Sequence, residues 1–264
     1  MNYPERFGWP IIRALFVVLL AISWEAAVEY RLLDSFYVSS PARVCSRVAA
    51  WVSSGEIVVH VGATMSEAVA GLGLGMALGL ILAAALIVSG TLRYLLLPLA
   101  IASNAIPKYA LAPLFILWFG LGYPSKIAMV TSVVFFAVFL TAYEGMQQSN
   151  RQLHLHLTFL GASRWDRIRH ISIPSSIPWL VNGVRMAVGF SLSSAIVAEY
   201  MGASRGIGYL IEHSQSFFDS TGVMAGLAVV VALALPLDFG LRLGARRLLR
   251  WQQSTIAEGY RDVL

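Results

Sequence analysis

Four arginines, Arg151, Arg164, Arg167 and Arg169, fall within one polar stretch at 144–174, EGMQQSNRQLHLHLTFLGASRWDRIRHISIP, between two long apolar runs. A basic segment of that length is too long for a turn and too short for a domain, which marks it as a docking element. Other ionisable side chains lie within apolar runs, where each costs about 3 kcal/mol at a helix centre and therefore faces a bundle interior. Lys108, close to Asn104 in a proline-rich run, is placed to meet an anionic solute. Arg185, in NGVRMAVG, asks instead for a structural contact with a neighbouring helix or a carboxylate. Glu25 and Glu67 fall towards the ends of their runs, where water or a counter-charge can hold them, and Glu199 closes a later run as an interfacial anion or a contact for a soluble partner. With Ser193 and Ser194 in that later run, the candidate pathway set is Asn104, Lys108, Ser193, Ser194 and Glu199.

Several chemistries are excluded by the same inventory. The single cysteine, Cys45, allows no intramolecular disulfide, and no Cys/His spacing suits a metal. His154 and His156 are two apart and point to different sides of a helix, so they form no ligand pair. A phosphate-binding loop needs a lysine after its glycines and a strand before them, and neither is present. The titratable residues are too scattered for a membrane-embedded enzyme, and no internal repeat points to an ion-coupled carrier. A net charge of +5 could indicate nucleic acid, but the basic residues flank apolar spans, as retention on the cytoplasmic side requires.

These residues must be carried by membrane-spanning helices: 58% of the 264 residues are hydrophobic and only 12% charged, about half the charged share of an average soluble domain. Helical spans need about 20 apolar residues, which predicts six, at 11–28, 62–88, 94–119, 125–143, 177–199 and 222–243. The first follows Arg6 and Arg13 but has no clean small-residue cleavage site, so it reads as a span and not a removable leader. Arg93, the four arginines of 144–175 and the tail residues Arg242, Arg246, Arg247, Arg250 and Arg261 place those segments inside, while 29–60 and 200–221 are close to balanced and lie outside. Both termini are therefore expected in the cytoplasm. Gly71, Gly75 and Gly79 recur every four residues, giving the second span a face that a neighbouring helix can approach closely. Pro98, Pro107 and Pro113 interrupt the third, and such breaks are tolerated where backbone is buried in protein or lines a cavity.

In the polar segment, Leu160, Gly161, Ala162 and Ser163 separate two helix-prone stretches. In the second, Trp165, Ile168 and Ile171 make one apolar face and Arg164, Asp166, Arg167 and Arg169 a charged one, which predicts a short helix lying along the membrane surface. Pro174 and Pro178 then open the fifth span, where a proline in the first turn costs little. The outer loop ending MGASRGIGYLIEHSQSFF is Gly-rich and reads either as part of an outer gate or as a re-entrant turn satisfying its own backbone.

LGASRWDRIRHISIP and the following SIPWLVNGVRMAVGFSLSSAIVAEYMGASRGIGYLI resemble the permease subunits of bacterial ATP-binding cassette (ABC) importers of the nitrate, sulfonate and taurine type. WEAAVEY at 24–30, IPKYALAPLFILWFGLG at 106–122 and RLGARRLLRW, ending at Trp251, occur in the family's order and spacing, so the resemblance covers most of the chain. It implies an all-α, polytopic type I importer permease: one transmembrane domain over 1–264, with an N-terminal span at 11–28, a permease core over about 61–245 and a coupling segment at 144–174. It implies two permease subunits, by default a homodimer and otherwise a heterodimer with a second permease, with two cytoplasmic ATPases and an extracytoplasmic solute-binding protein in the inner membrane assembly. ATP and magnesium would be held by the ATPase, leaving no cofactor and no catalysis to this chain. The ATPase-coupling positions it implies are Leu160, Gly161, Ala162, Ser163, Arg164, Trp165, Asp166, Ile171 and Pro174, with Ile173 replacing the usual leucine. The family's Glu-Ala-Ala falls here on Leu155, His156 and Leu157, so the acidic contact of that motif is missing. The expected solute is a small anion, a sulfonate, taurine, nitrate or related compound, with a pyrimidine or flavin precursor or an aromatic acid, which relatives with these motifs also carry, as the alternative.

Overall fold

The computed structural model describes residues 8–147 and 151–248; Arg6, Arg250 and Arg261 lie outside the described residues. Among the described residues five single helices are long and apolar enough to cross a membrane: α1 (Gly8–Glu29), α3 (Glu56–Val88), α6 (Tyr123–Gln147), α9 (Ile173–Tyr200) and α11 (Ser220–Leu248). The expected third span is present as a bent pair, long and apolar enough when its two pieces are taken together. Helix α4 (Gly90–Asn104) is about 22 Å long at 1.5 Å per residue, short of the hydrocarbon core, and meets the Lys108–Phe119 segment at 88°. That segment is one 3₁₀ turn (Lys108–Leu111) followed by α5 (Ala112–Phe119). Pro98 is absorbed inside α4 and Pro113 sits in the first turn of α5, so the break falls at Pro107, whose extended backbone starts the 3₁₀ turn.

The core is a slab of α3, α6 and α9, with α6 in the middle. Small residues set how close the helices come. A Cβ on Gly75 would lie 2.7 Å from Val134 Cβ, and one on Gly71 would overlap Val130, so α6 occupies the glycine face of α3. Gly145 and Gly183 do the same between α6 and α9, against Trp179 and Thr141. Val130, Val134 and Val138 fill the resulting interior with Ala68, Ala187 and Ala195.

Two short helices occupy segments expected to be loops. Helix α2 (Pro41–Ser53) starts with Pro41 after an N-cap, Ser40, and α10 (Ile207–Ser216) starts after Gly206. Both are amphipathic and too short to span. With the start of α11 they build a second cluster around Val44, Trp51, Ile207, Leu210, Ile211 and Ala225. Arg47 Nη1 donates to Asp219 Oδ2 at 2.7 Å, and the Ser39 and Thr221 hydroxyls are 2.8 Å apart, tying α2 to the start of α11. Helix α1 packs on α2 and remains largely exposed, as a lipid-facing span would.

Candidate functional site

Helix α7 (Arg151–Phe159) follows α6, and its C-terminus is closed by Gly161 at φ +77°. The Ala162 N–H donates to Leu157 O at 2.9 Å and the Gly161 N–H to Thr158 O at 3.1 Å, the paired bonds of a Schellman ending that a left-handed glycine completes. Two residues on, Ser163 starts α8 (Arg164–Arg167) with a reciprocal cap. Its Oγ accepts from the Asp166 N–H at 3.2 Å, and Asp166 Oδ2 accepts from the Ser163 N–H at 3.0 Å and the Ser163 hydroxyl at 2.6 Å. These bonds from Ser163 hold the Asp166 carboxyl below the usual carboxylate range. The Arg167 guanidinium donates to the Thr158 hydroxyl across the turn, so the two helices are fastened on both sides of Gly161. Phe159 and Leu160 stand at the apex, 87% and 80% exposed, with Trp165 exposed beside them.

The second stretch is not the separate surface helix that its periodicity predicts. Helix α8 runs through a π turn (Ile168–Ser172), closed by the Ile173 N–H on Ile168 O, directly into α9. The wider turn sits immediately before Pro174, which has no N–H to donate, and it rotates the following residues out of the earlier register. Trp165 is therefore exposed while Ile171 is buried, and Pro174 is half-buried. The segment is a lever rooted in α9 with α7 at its tip.

At the other end of α9, three successive N–H groups opening α10 meet side chains from distant helices. The Gly206 N–H lies 3.0 Å from His60 Nδ1, the Ile207 N–H donates to Thr64 Oγ1 at 2.9 Å and the Gly208 N–H to Glu199 Oε2 at 2.7 Å. The unpaired donors of a helix start are thus satisfied by α3 and α9 rather than by a local cap. A Cβ on Gly206 would overlap the Glu199 carboxyl and one on Gly208 would overlap Ile196 O, so glycine is needed for this approach. Thr64 Oγ1 also lies 2.6 Å from Glu199 Oε1, and on the same face Glu67 Oε1 accepts from Lys126 Nζ at 3.1 Å. The segment after α9 makes some of its own backbone bonds, the Ala203 N–H to Glu199 O at 3.0 Å among them, and is clamped by side chains of α3 and α9 at Gly206–Gly208.

The candidate pathway residues do not form one site. Asn104 and Lys108 flank the break after α4, but the Lys108 ammonium donates to Ser103 O and, at 2.8 Å, to Ile106 O, and lies 4.1 Å from the Phe136 ring centre. The Ser193 hydroxyl is exposed and returns to Gly189 O at 3.0 Å, whereas Ser194 is fully buried and bonds Phe190 O. Glu199, 1% exposed, presents nothing to a soluble partner in this arrangement. Arg185 Nε donates to Asp238 Oδ1 at 2.9 Å, the carboxylate its position asked for. His60, Thr64 and Lys126 escaped the sequence reading. Lys126, a charge at the start of an apolar run, carried a usable signal; His60 and Thr64 did not.

A family model for the binding-protein-dependent transport system inner membrane component matches residues 75–250. The chain is 33% identical to the riboflavin transport system permease protein of Chloroflexus aurantiacus over 95% of this chain and 94% of that one. It is 31% identical to the formylaminopyrimidine transport permease protein of Halalkalibacterium halodurans, over 84% and 88%. It is 26% identical to the taurine transport system permease protein of Escherichia coli, over 93% of each.

Proposed function

Because this chain belongs to the family of binding-protein-dependent transport system inner membrane components, we propose that it lines the pathway of an ABC importer for a small heterocyclic solute of the flavin or pyrimidine-precursor class. Permease function itself follows from membership in the family. The solute class is supported by two of the relatives above 30% identity, which are named for riboflavin and formylaminopyrimidine transport. A second reading, a small anion such as a sulfonate, taurine or nitrate, is favoured by the placement of Lys108 at the break after α4 and by the taurine relative. Against it, the Lys108 ammonium already has two carbonyls and an aromatic face.

The observation that carries the mechanism is the fastened turn at Gly161, whose apolar apex is continuous with α9 through the π turn. A cytoplasmic ATPase closing on this apex would move α9 as a rigid lever and tip the bundle between inward-open and outward-open states. Leu160 to Asp166 form the contact, with Ile171 and Pro174 anchoring its root. With leucine and histidine where the family has Glu-Ala-Ala, the contact rests on apolar burial and on arginines that favour an acidic groove. ATP and magnesium are held by that ATPase. The arginine-rich segments put the coupling segment and both termini on the cytoplasmic side of the inner membrane, and a second copy of this chain completes the pathway.

Gentle detergent extraction, mass spectrometry of the co-purified proteins and ATP hydrolysis by the assembly test this directly. One ATPase, one permease species and a solute-binding protein that binds a flavin or pyrimidine are expected. A binding protein selective for taurine or another sulfonate would move the solute to the second reading, and recovery of no ATPase would remove the coupling mechanism.

A further inference from the structure

Three ionisable groups from three helices meet beneath the α10 N-terminus: Glu67 of α3, Lys126 of α6 and Glu199 of α9, at 2%, 8% and 1% exposure. The carboxyls of Glu67 and Glu199 are adjacent. The further titratable side chains tied to the cluster are His60, held against Gly206 and stacked on Tyr209 at 5.7 Å, and Glu56, 3.9 Å from the far nitrogen of His60. Two carboxylates facing one ammonium would leave an uncompensated negative charge inside the bundle, and adjacent buried carboxylates do not both ionise.

The hydrogen bonds leave room for a proton on the pair. Thr64 Oγ1 has one proton and three neighbours: the Ile207 N–H, which donates to it, His60 O at 3.2 Å and Glu199 Oε1 at 2.6 Å. Its single proton can serve only one of the two oxygens, so the other contact lacks a hydrogen unless the carboxyl pair supplies one. Glu67 Oε2, meanwhile, is buried with no hydrogen-bond partner.

We propose that Glu67 and Glu199 share one proton, which makes their cluster with Lys126 electrically neutral and keeps the Gly206–Gly208 backbone seated on α3 and α9. The site binds a proton as its ligand, at the end of α9 opposite the coupling segment. Removing it leaves a net anion where the α10 N–H groups dock and loosens the clamp on the outer loop.

The test is the infrared spectrum of the full-length chain in lipid nanodiscs at neutral pH. The carbonyl band of one protonated carboxylic acid per chain is expected. Glu67→Gln and Glu199→Gln should each abolish it, since each leaves one carboxylate to pair with Lys126, whereas Lys126→Met should double it by drawing in a second proton. Raising the pH until the wild-type band disappears should release exchange protection at the Gly206, Ile207 and Gly208 amides beyond the intrinsic rise, and should not do so in Glu67→Gln. A wild-type spectrum without the band overturns the proposal even if no variant folds, as does a band that survives both glutamine substitutions. Amide protection that persists after the band is lost overturns the seating role.

Discussion

Replacing Gly161 separates two reasons why the turn between α7 and α8 needs glycine. Its φ of +77° lies in the left-handed region, and no atom lies within 4 Å of the position a Cβ would take. Nothing inside this chain is therefore crowded by a side chain there, and the cost is backbone strain alone, about 1–2 kcal/mol for an ordinary L-residue. A penalty of that size lowers the population of the formed turn about 5–30-fold relative to the competing conformations. Asparagine, which tolerates the left-handed region, should cost much less, alanine the full penalty and valine more, because a β-branched residue there is a genuine outlier. The assay is solute-stimulated ATP hydrolysis by the reconstituted importer, alongside the amount of ATPase retained per permease on purification. The expected order is glycine, asparagine, alanine, valine, with normal membrane insertion throughout. An order that follows side-chain size, with alanine near wild type and asparagine worse, would refute the backbone argument and assign the glycine to clearance against the ATPase.

At the α3–α6 contact, Gly75→Ala pushes a methyl to 2.7 Å from Val134 Cβ, and overpacking of this kind costs about 1–3 kcal/mol; a lower thermal midpoint partly restored by Val134→Ala is expected, and an unchanged midpoint would count against the packing. Gly206→Ala places a methyl on the Glu199 carboxyl and should raise amide exchange at Ile207 and Gly208, with uptake lost but α7 unaffected. Ser163 depresses the Asp166 carboxyl, so the stabilisation of the α8 cap is fully present above the unfolded carboxylate pKa of about 4 and is lost as pH falls through the lower folded value. Amide exchange at Ser163 and Asp166, after correction for intrinsic rates, should rise only in that acid window and show no such step in Asp166→Asn.

Much of the turn between α7 and α8 was legible because its signals are local. LGAS marks a break between two helix-prone stretches, and Gly161 closes α7 while Ser163 opens α8. The π turn was not legible: Trp165, Ile168 and Ile171 keep an apolar spacing that fits a surface helix, and only the continuous path into α9 buries Ile171 while leaving Trp165 exposed. Helices α2 and α10 were missed for a related reason, being short, amphipathic and rich in polar residues, with apolar faces that have meaning only against each other and α11.

The sequence by itself determined the membrane class, the positions of the apolar spans, the glycine face of α3 and the family, because span length and a four-residue repeat need only neighbours along one helix. Tertiary structure decided which charges matter. Lys108, conspicuous in a proline-rich run, turns inward to the carbonyls of its own break, while Lys126 finds Glu67 on a helix 59 positions earlier in the chain. Electrostatic partners of buried groups are set by which helices pack together, and that is fixed by the glycine contacts of α3 with α6 and of α6 with α9.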